Sequence, residues 1–120
     1  MSAEDVLLHR LERALAFGGN THTVNDVLDA VARGDAQMIG DAKGLLVTEL
    51  QHYPLKQTMR IWLVAGELRP CLDLLPQVER FAREVGAERI DAVGRMGWAR
   101  ALATRGWAAK GLWLSKGIEP

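Results

Sequence analysis

The stretch Thr58–Ala65 constrains this chain most, because Met59, Ile61 and Leu63 on one face alternate with Trp62 and Val64 on the other. An extended segment that is apolar on both faces belongs in the middle of a sheet covered on each side. After Gly66 the period becomes helical: Cys71, Leu74, Leu75, Val78, Phe81, Ala82 and Val85 fall on one stripe that stops at Gly86. Pro70 suits the first turn of that helix. Pro76 lacks an amide proton and crowds the preceding turn, so it is expected to kink the helix or open a second segment. Arg89–Val93 then reads as another strand. Strand, helix and strand form a right-handed crossover unit when the two strands are parallel neighbours.

The flanking segments extend this pattern. Ser2 and Asp5 read as a capping pair for a first helix carrying Leu7, Leu8, Leu11, Ala14 and Leu15, stopped by Gly18 and Gly19. Thr23 caps a second helix whose buried stripe is expected to be Val24, Val27, Leu28 and Val31, with Gly34 ending it. Gln37–Ile39 and Leu45–His52 alternate as strands around a turn at Gly40–Lys43, which predicts a hairpin. Gly97–Thr104 reads as a short helix and Trp107–Leu114 as a terminal strand. The expected architecture is α/β (α+β): a mixed sheet with helices on both faces and a helical entry. Residues 1–120 form one domain, with 1–19 as an N-terminal helix at its periphery.

Composition sets the outer limits. The 120 residues are 48% apolar and 25% charged, the balance of one globular core rather than of a disordered chain. Fifteen basic residues offset fifteen acidic ones, so no global field steers the molecule towards nucleic acid or an anionic membrane. Cys71 is the only cysteine, which rules out an intramolecular disulfide and suits a reducing compartment or a virus particle assembled in one. Met1–Phe17 is studded with charges, unlike a signal peptide, and no stretch approaches the roughly 20 apolar residues of a membrane span.

Four segments together resemble the C-terminal half of a GNAT acetyltransferase domain. They are R-I-W-L-V-A-G-E-L at Arg60–Leu68, the helix to Gly86, E-R-I-D-A-V at Glu88–Val93, and A-L-A-T-R-G-W at Ala101–Trp107. The resemblance implies a GNAT-like sheet whose central strand splays from its parallel neighbour, with the pantetheine arm of acetyl-CoA entering the gap. It further implies a pyrophosphate resting on amides of the following loop and helix start, a use of unpaired donors that is physically sound. Carried onto this chain, the cofactor-binding positions are Val64, Ala65, Gly66 and Leu68. Two departures stand out. The family loop has the form Q/R-x-x-G-x-G/A, whereas V-A-G-E-L-R-P offers Gly66 alone and adds Glu67. Leu102 stands where the family often places a general-acid tyrosine, and leucine cannot protonate a leaving thiolate.

G-R-M-G-W-A-R-A-L at Gly94–Leu102 also resembles a G-R-x-G-W signature of small GNAT-like proteins from tailed bacteriophages and prophages. That resemblance implies a catalytically degenerate module for virion assembly or partner binding, in the host cytoplasm or the particle. Trp98 between Arg95 and Arg100 is the expected partner surface, since tryptophan and arginine anchor interfaces. Two competing functions stay open. One is an active N-acetyltransferase with acetyl-CoA as cofactor, in which Glu49 or Glu67 acts as a base through water. The other is a small nucleic-acid binder using Arg95, Arg100, Arg105, Lys110 and Lys116, for which no recognised motif speaks. Self-association is open too. His9, His22 and His52 share no metal-ligand spacing with Cys71, so no metal site is expected. For Trp62 and Trp107, packing in the core is the expected role.

Overall fold

The computed structural model describes residues 2–120. Helix α1 (Ala3–Phe17) starts on a reciprocal capping box between Ser2 and Asp5. Helix α2 (Val24–Arg33) starts on a second one, in which Asp26 accepts from the Thr23 amide at 2.8 Å and Thr23 accepts from the Asp26 amide at 3.2 Å. Leu28 departs from the expected stripe: it is exposed, while Val27 and Ala30 are buried. The helix meets the rest of the molecule along a narrow seam, and Leu28 lies on its solvent flank.

Strands β1 (Gln37–Gly40), β2 (Gly44–His52) and β3 (Gln57–Gly66) form an antiparallel meander. Helix α3 (Leu68–Glu84) carries the chain over to β4 (Ile90–Ala92), which lies parallel to β3, and α4 (Met96–Ala103) follows. The sheet order is β1-β2-β3-β4. Pro76 does not interrupt α3, which runs unbroken from Leu68 to Glu84. The lost hydrogen bond to Leu72 and the steric cost, about 3 kcal/mol, are outweighed by burial of Leu72, Leu75 and Val78 around it. Each such side chain contributes about 1.5–3 kcal/mol.

Both sheet faces are covered, as a doubly apolar central strand requires. Met59, Ile61 and Leu46 pack with Cys71, Leu75 and Val78 of α3 on one face. Leu63, Ala65, Leu45 and Val47 pack with Leu11, Leu15 and Val27 on the other. Leu11 is fully buried, so α1 is built into the core rather than placed at its periphery. Leu63 therefore does not share a face with Met59 and Ile61. Val47 pairs with Leu63 while Thr48 pairs with Ile61, which leaves Trp62 as the extra residue of a β-bulge. The bulge puts Trp62 and Leu63 on the same face and shifts the alternation of everything beyond.

The expected terminal strand at Trp107–Leu114 is absent. Only Trp107 packs on the core, and residues 108–120 run without regular structure, exposed to solvent. Strand-like alternation expresses fitness for a half-buried surface, and this segment reaches no strand edge within its own chain.

The capping boxes yield a stability prediction. Thr23→Ala removes one donor–acceptor pair and is expected to cost about 1 kcal/mol, read from urea denaturation. The Thr23 amide, its hydroxyl and then His22 hold the Asp26 carboxyl below its ordinary value of 3.8. A depressed folded-state value adds stability that is present above the unfolded value and lost as pH falls through the folded one. Asp26→Asn should therefore show a flatter loss of urea midpoint below pH 3.8 than the parent chain.

Candidate functional site: an interstrand gap and an acidic cleft

The parallel ladder between β3 and β4 is short. It contains Met59↔Ile90, Arg60↔Asp91 and Ile61↔Ala92, and then stops. Strand β3 continues through Trp62–Gly66, still paired with β2 on its other side. From the bulge onward, β3 thus presents an edge of main-chain groups to a gap that β4 does not fill. Beyond β4 the chain turns to Arg95, whose guanidinium lies 4.8 Å from the ring centroid of Phe17 at the end of α1. This cation–π contact ties the chain leaving β4 to the α1 side of the sheet.

The four expected cofactor positions lie close together at the end of β3 and the start of α3. Val64 packs partly into the α3-side core, and Ala65 is buried on the α1 side. Gly66 has φ +102, and a Cβ there would lie 2.4 Å from the Lys43 carbonyl oxygen. The next amide, of Glu67, donates to that same carbonyl at 2.8 Å. Arg10 donates to the carbonyls of Ala42 and Lys43, locking the turn from outside. Gly66 is thus required by packing. Leu68 opens α3 as an exposed side chain. Among the described residues, the amides of Leu68 and Arg69 have no partner, and Pro70 has no amide proton to offer. Glu67 is the N-cap residue and makes no side-chain cap bond.

Beside the bulge, on the α1 and α2 side, lies a cleft of about 330 Å³. His22, Asp26 and Asp29 line it from α2 and its lead-in, and Glu49, Arg60 and Trp62 from the sheet. His22 meets the Trp62 ring edge to face, with centroids 4.9 Å apart, and its Nδ1 sits 2.7 Å from the Thr21 hydroxyl. Glu49 is held by Arg60 at 3.1 Å, and Asp35 by Arg33 at 2.9 Å. Asp26 and Asp29 make no ion pair among the described residues, which leaves the cleft with excess negative charge. Trp62 belongs to both features: it is the first β3 residue beyond the ladder with β4, and its ring forms one wall of the cleft. A more open groove of about 270 Å³ lies between β1 and α3. It sits at the opposite edge of the sheet, remote from the gap.

Trp62 is half-buried: it packs against the α1-side core, as expected, and also lines this cleft. Glu49 is drawn into the cleft, whereas Glu67 sits apart at the helix start. Leu102 is buried, against Trp98 and Trp107. Trp98 is half-buried in that cluster, and Arg95 and Arg100 are exposed on either side. Cys71 is buried, its Sγ donating to the Ala65 carbonyl at 3.4 Å, and burial pushes its thiol up, against smaller opposing effects of the Leu45 backbone and Arg10. His22, Asp26 and Asp29 went unassigned in the sequence, where the only signal was a histidine directly preceding a helix cap. No metal-holding group of His, Cys, Asp and Glu occurs among the described residues. No helix among them is long and apolar enough to cross a membrane.

No protein-family model matches this sequence, and no curated protein sequence matches it. Solved structures do. The crystal structure of an acetyltransferase from Trypanosoma brucei superposes with a TM-score of 0.69 at 10% identity, over 98% of this chain and 96% of that one. An integron cassette protein from the mobile metagenome of V. cholerae superposes with a TM-score of 0.60 at 11% identity, over 96% of this chain and 86% of that one. At such identities the shared property is the fold. This chain has a GNAT-like, acetyltransferase-like fold: a four-stranded mixed sheet between two helical layers, split beyond Ile61.

Proposed function

We propose that this chain is an acyl-CoA-dependent N-acyltransferase whose acceptor is a cationic amine. The observation that carries the reading is the mismatch of the two parallel strands: β3 runs on through Trp62–Gly66 after β4 has ended. An edge of unpaired main-chain groups suits the amide-bearing arm of coenzyme A, which can take the place of a missing strand. The helix start fits a diphosphate less fully. It offers the amides of Leu68 and Arg69, while Pro70 contributes none and Glu67 adds negative charge. The chain therefore holds the cofactor chiefly along β3.

When bound, the cofactor supplies an activated thioester. The chain's own residues prepare the amine. Asp26 and Asp29 attract it as an ammonium ion, and the Trp62 ring offers a cation–π wall worth about 0.5–1 kcal/mol. An ammonium is not a nucleophile, so its proton must leave first. His22 is the acceptor in the cleft, and Glu49, already held by Arg60, keeps the cation of Arg60 paired beside it. Leu102 in place of a tyrosine does not forbid the reaction. A thiol has an ordinary pKa of about 8.5, so the thiolate departs tolerably near neutrality and takes its proton from water.

Titration calorimetry with acetyl-CoA tests the reading: saturable binding with a micromolar Kd is expected, and unmodified coenzyme A should bind similarly. Heat changes absent up to millimolar ligand, together with no acetylation of a polyamine panel, would refute it. Two observations favour a second reading. The buried Leu102 and the amide-poor start of α3 also suit a phage- or prophage-type module that kept the fold and lost the chemistry. On that reading no acetyl-CoA binds, and Arg95, Trp98 and Arg100 serve a protein partner.

A further inference from the structure

Two guanidinium groups line the cleft beside the bulge, and each is held through its Nε. Arg60 meets Glu49 in this way at 3.1 Å, and Arg33 meets Asp35 at 2.9 Å. No hydrogen bond from the terminal nitrogens of either group occurs among the described residues. A guanidinium fixed through Nε keeps its forked end for another acceptor, and that fork matches a carboxylate. Arg60 is the more enclosed of the two, with its side chain 47% exposed against 62% for Arg33. It also stands two residues before Trp62 on β3, where the gap towards β4 opens.

The α2 wall offers the opposite sign, since Asp26 and Asp29 make no ion pair among the described residues. Charge of both signs with binding capacity to spare therefore faces one cavity of about 330 Å³. A simple amine would use only the carboxylates and leave the fork of Arg60 to water. The cleft carries four carboxylates against two guanidiniums, a net charge of −2 with His22 neutral, so its ligand should be cationic overall while bearing an anionic group. The cavity lies near the lower end of the range of about 300–1,000 Å³ for ligand pockets, which suits a small metabolite. We propose that the cleft binds a basic amino acid, its carboxylate on the terminal nitrogens of Arg60 and its ammonium groups towards Asp26 and Asp29, with the Trp62 ring along its alkyl chain. The fate of this ligand as an acyl acceptor rests on the acyltransferase reading; its binding does not.

Titration calorimetry of the full chain with L-lysine, cadaverine and L-norleucine, in the absence of acetyl-CoA, tests this. Cadaverine is lysine without its carboxylate, and norleucine is lysine without its second ammonium. Lysine is expected to bind about 10–100-fold more tightly than either, the worth of one charge-assisted contact. Arg60→Gln should remove the advantage of lysine over cadaverine, and Arg60→Lys should restore only part of it, because an ammonium keeps the charge without the fork. Asp29→Asn should narrow the gap between lysine and norleucine. Arg60 and Asp29 are both exposed, so these variants are expected to fold, with unchanged far-ultraviolet dichroism as the check. Equal affinity for lysine and cadaverine overturns the proposal, as does lysine that fails to bind at millimolar concentration or a preference that survives Arg60→Gln. Lysine binding without any binding of acetyl-CoA would sink the acyltransferase reading and support this one. Acetylation of polyamines with no preference for lysine would do the reverse.

Discussion

Gly66→Ala is expected to destabilise the fold by about 3 kcal/mol or more, read as a fall of about 2 M in urea midpoint for a slope near 1.5 kcal/mol per M. The main chain there sits at φ +102, a region that costs a side-chain-bearing residue on the order of 1–3 kcal/mol. The added methyl would also lie 2.4 Å from the Lys43 carbonyl oxygen, a backbone atom that cannot rotate away. Relief would require the β2 and β3 ends to separate. That in turn breaks the Glu67 amide bond to Lys43 and disturbs the Arg10 clasp on the same turn. The experiment also decides what the glycine is for. If Gly66→Ala folded with parental stability and lost only acetyl-CoA binding, the residue would serve the ligand, and close packing against Lys43 would not be its role. Leu68→Ala is the matched control: an exposed side chain at the same turn, expected within about 0.5 kcal/mol of the parent.

The central unit was legible in the sequence because each part has its own period. Thr58–Ala65 is apolar on both faces, Cys71–Val85 is apolar on one helical stripe, and the change of period at Gly66 separates them. The bulge was not legible. It depends on which β2 residues face Ile61 and Leu63, and one strand's pattern does not contain its partner's register. Placing Leu63 with Met59 followed from assuming unbroken alternation. The terminal strand failed for a related reason: alternation at Leu112–Leu114 states what surface the segment fits, while pairing needs an edge within reach. The candidate site divides along the same line. Val64, Ala65, Gly66 and Leu68 are nearly consecutive, so a single resemblance nominates them together. The cleft draws His22 and Asp29 from around α2, Glu49 from β2 and Trp62 from the bulge. Residues so far apart meet only through the fold, and none carries a motif of its own.

His22→Phe is expected to lower kcat for acetylation of a cationic amine by about 10²–10⁴-fold at pH 7, with acetyl-CoA affinity unchanged. Phenylalanine keeps a ring against Trp62, where His22 now sits edge to face at 4.9 Å, so the wall of the cleft survives and only the proton acceptor is lost. The pH profile separates a chemical role from a structural one. An alkyl ammonium has an ordinary pKa near 10.4, so its free-base fraction rises about tenfold per pH unit below that value. A variant lacking the acceptor must wait for amine that is already deprotonated, and its rate should climb about tenfold per unit between pH 7 and 9 while the parent's levels off. Glu49→Gln makes the contrasting case. Glu49 holds Arg60 at 3.1 Å, so its loss frees a cation inside the cleft. It should raise KM for a cationic acceptor more than it lowers kcat. Were the results reversed, with Glu49→Gln abolishing turnover and His22→Phe sparing it, Glu49 would be the group that takes the proton and His22 merely part of the wall.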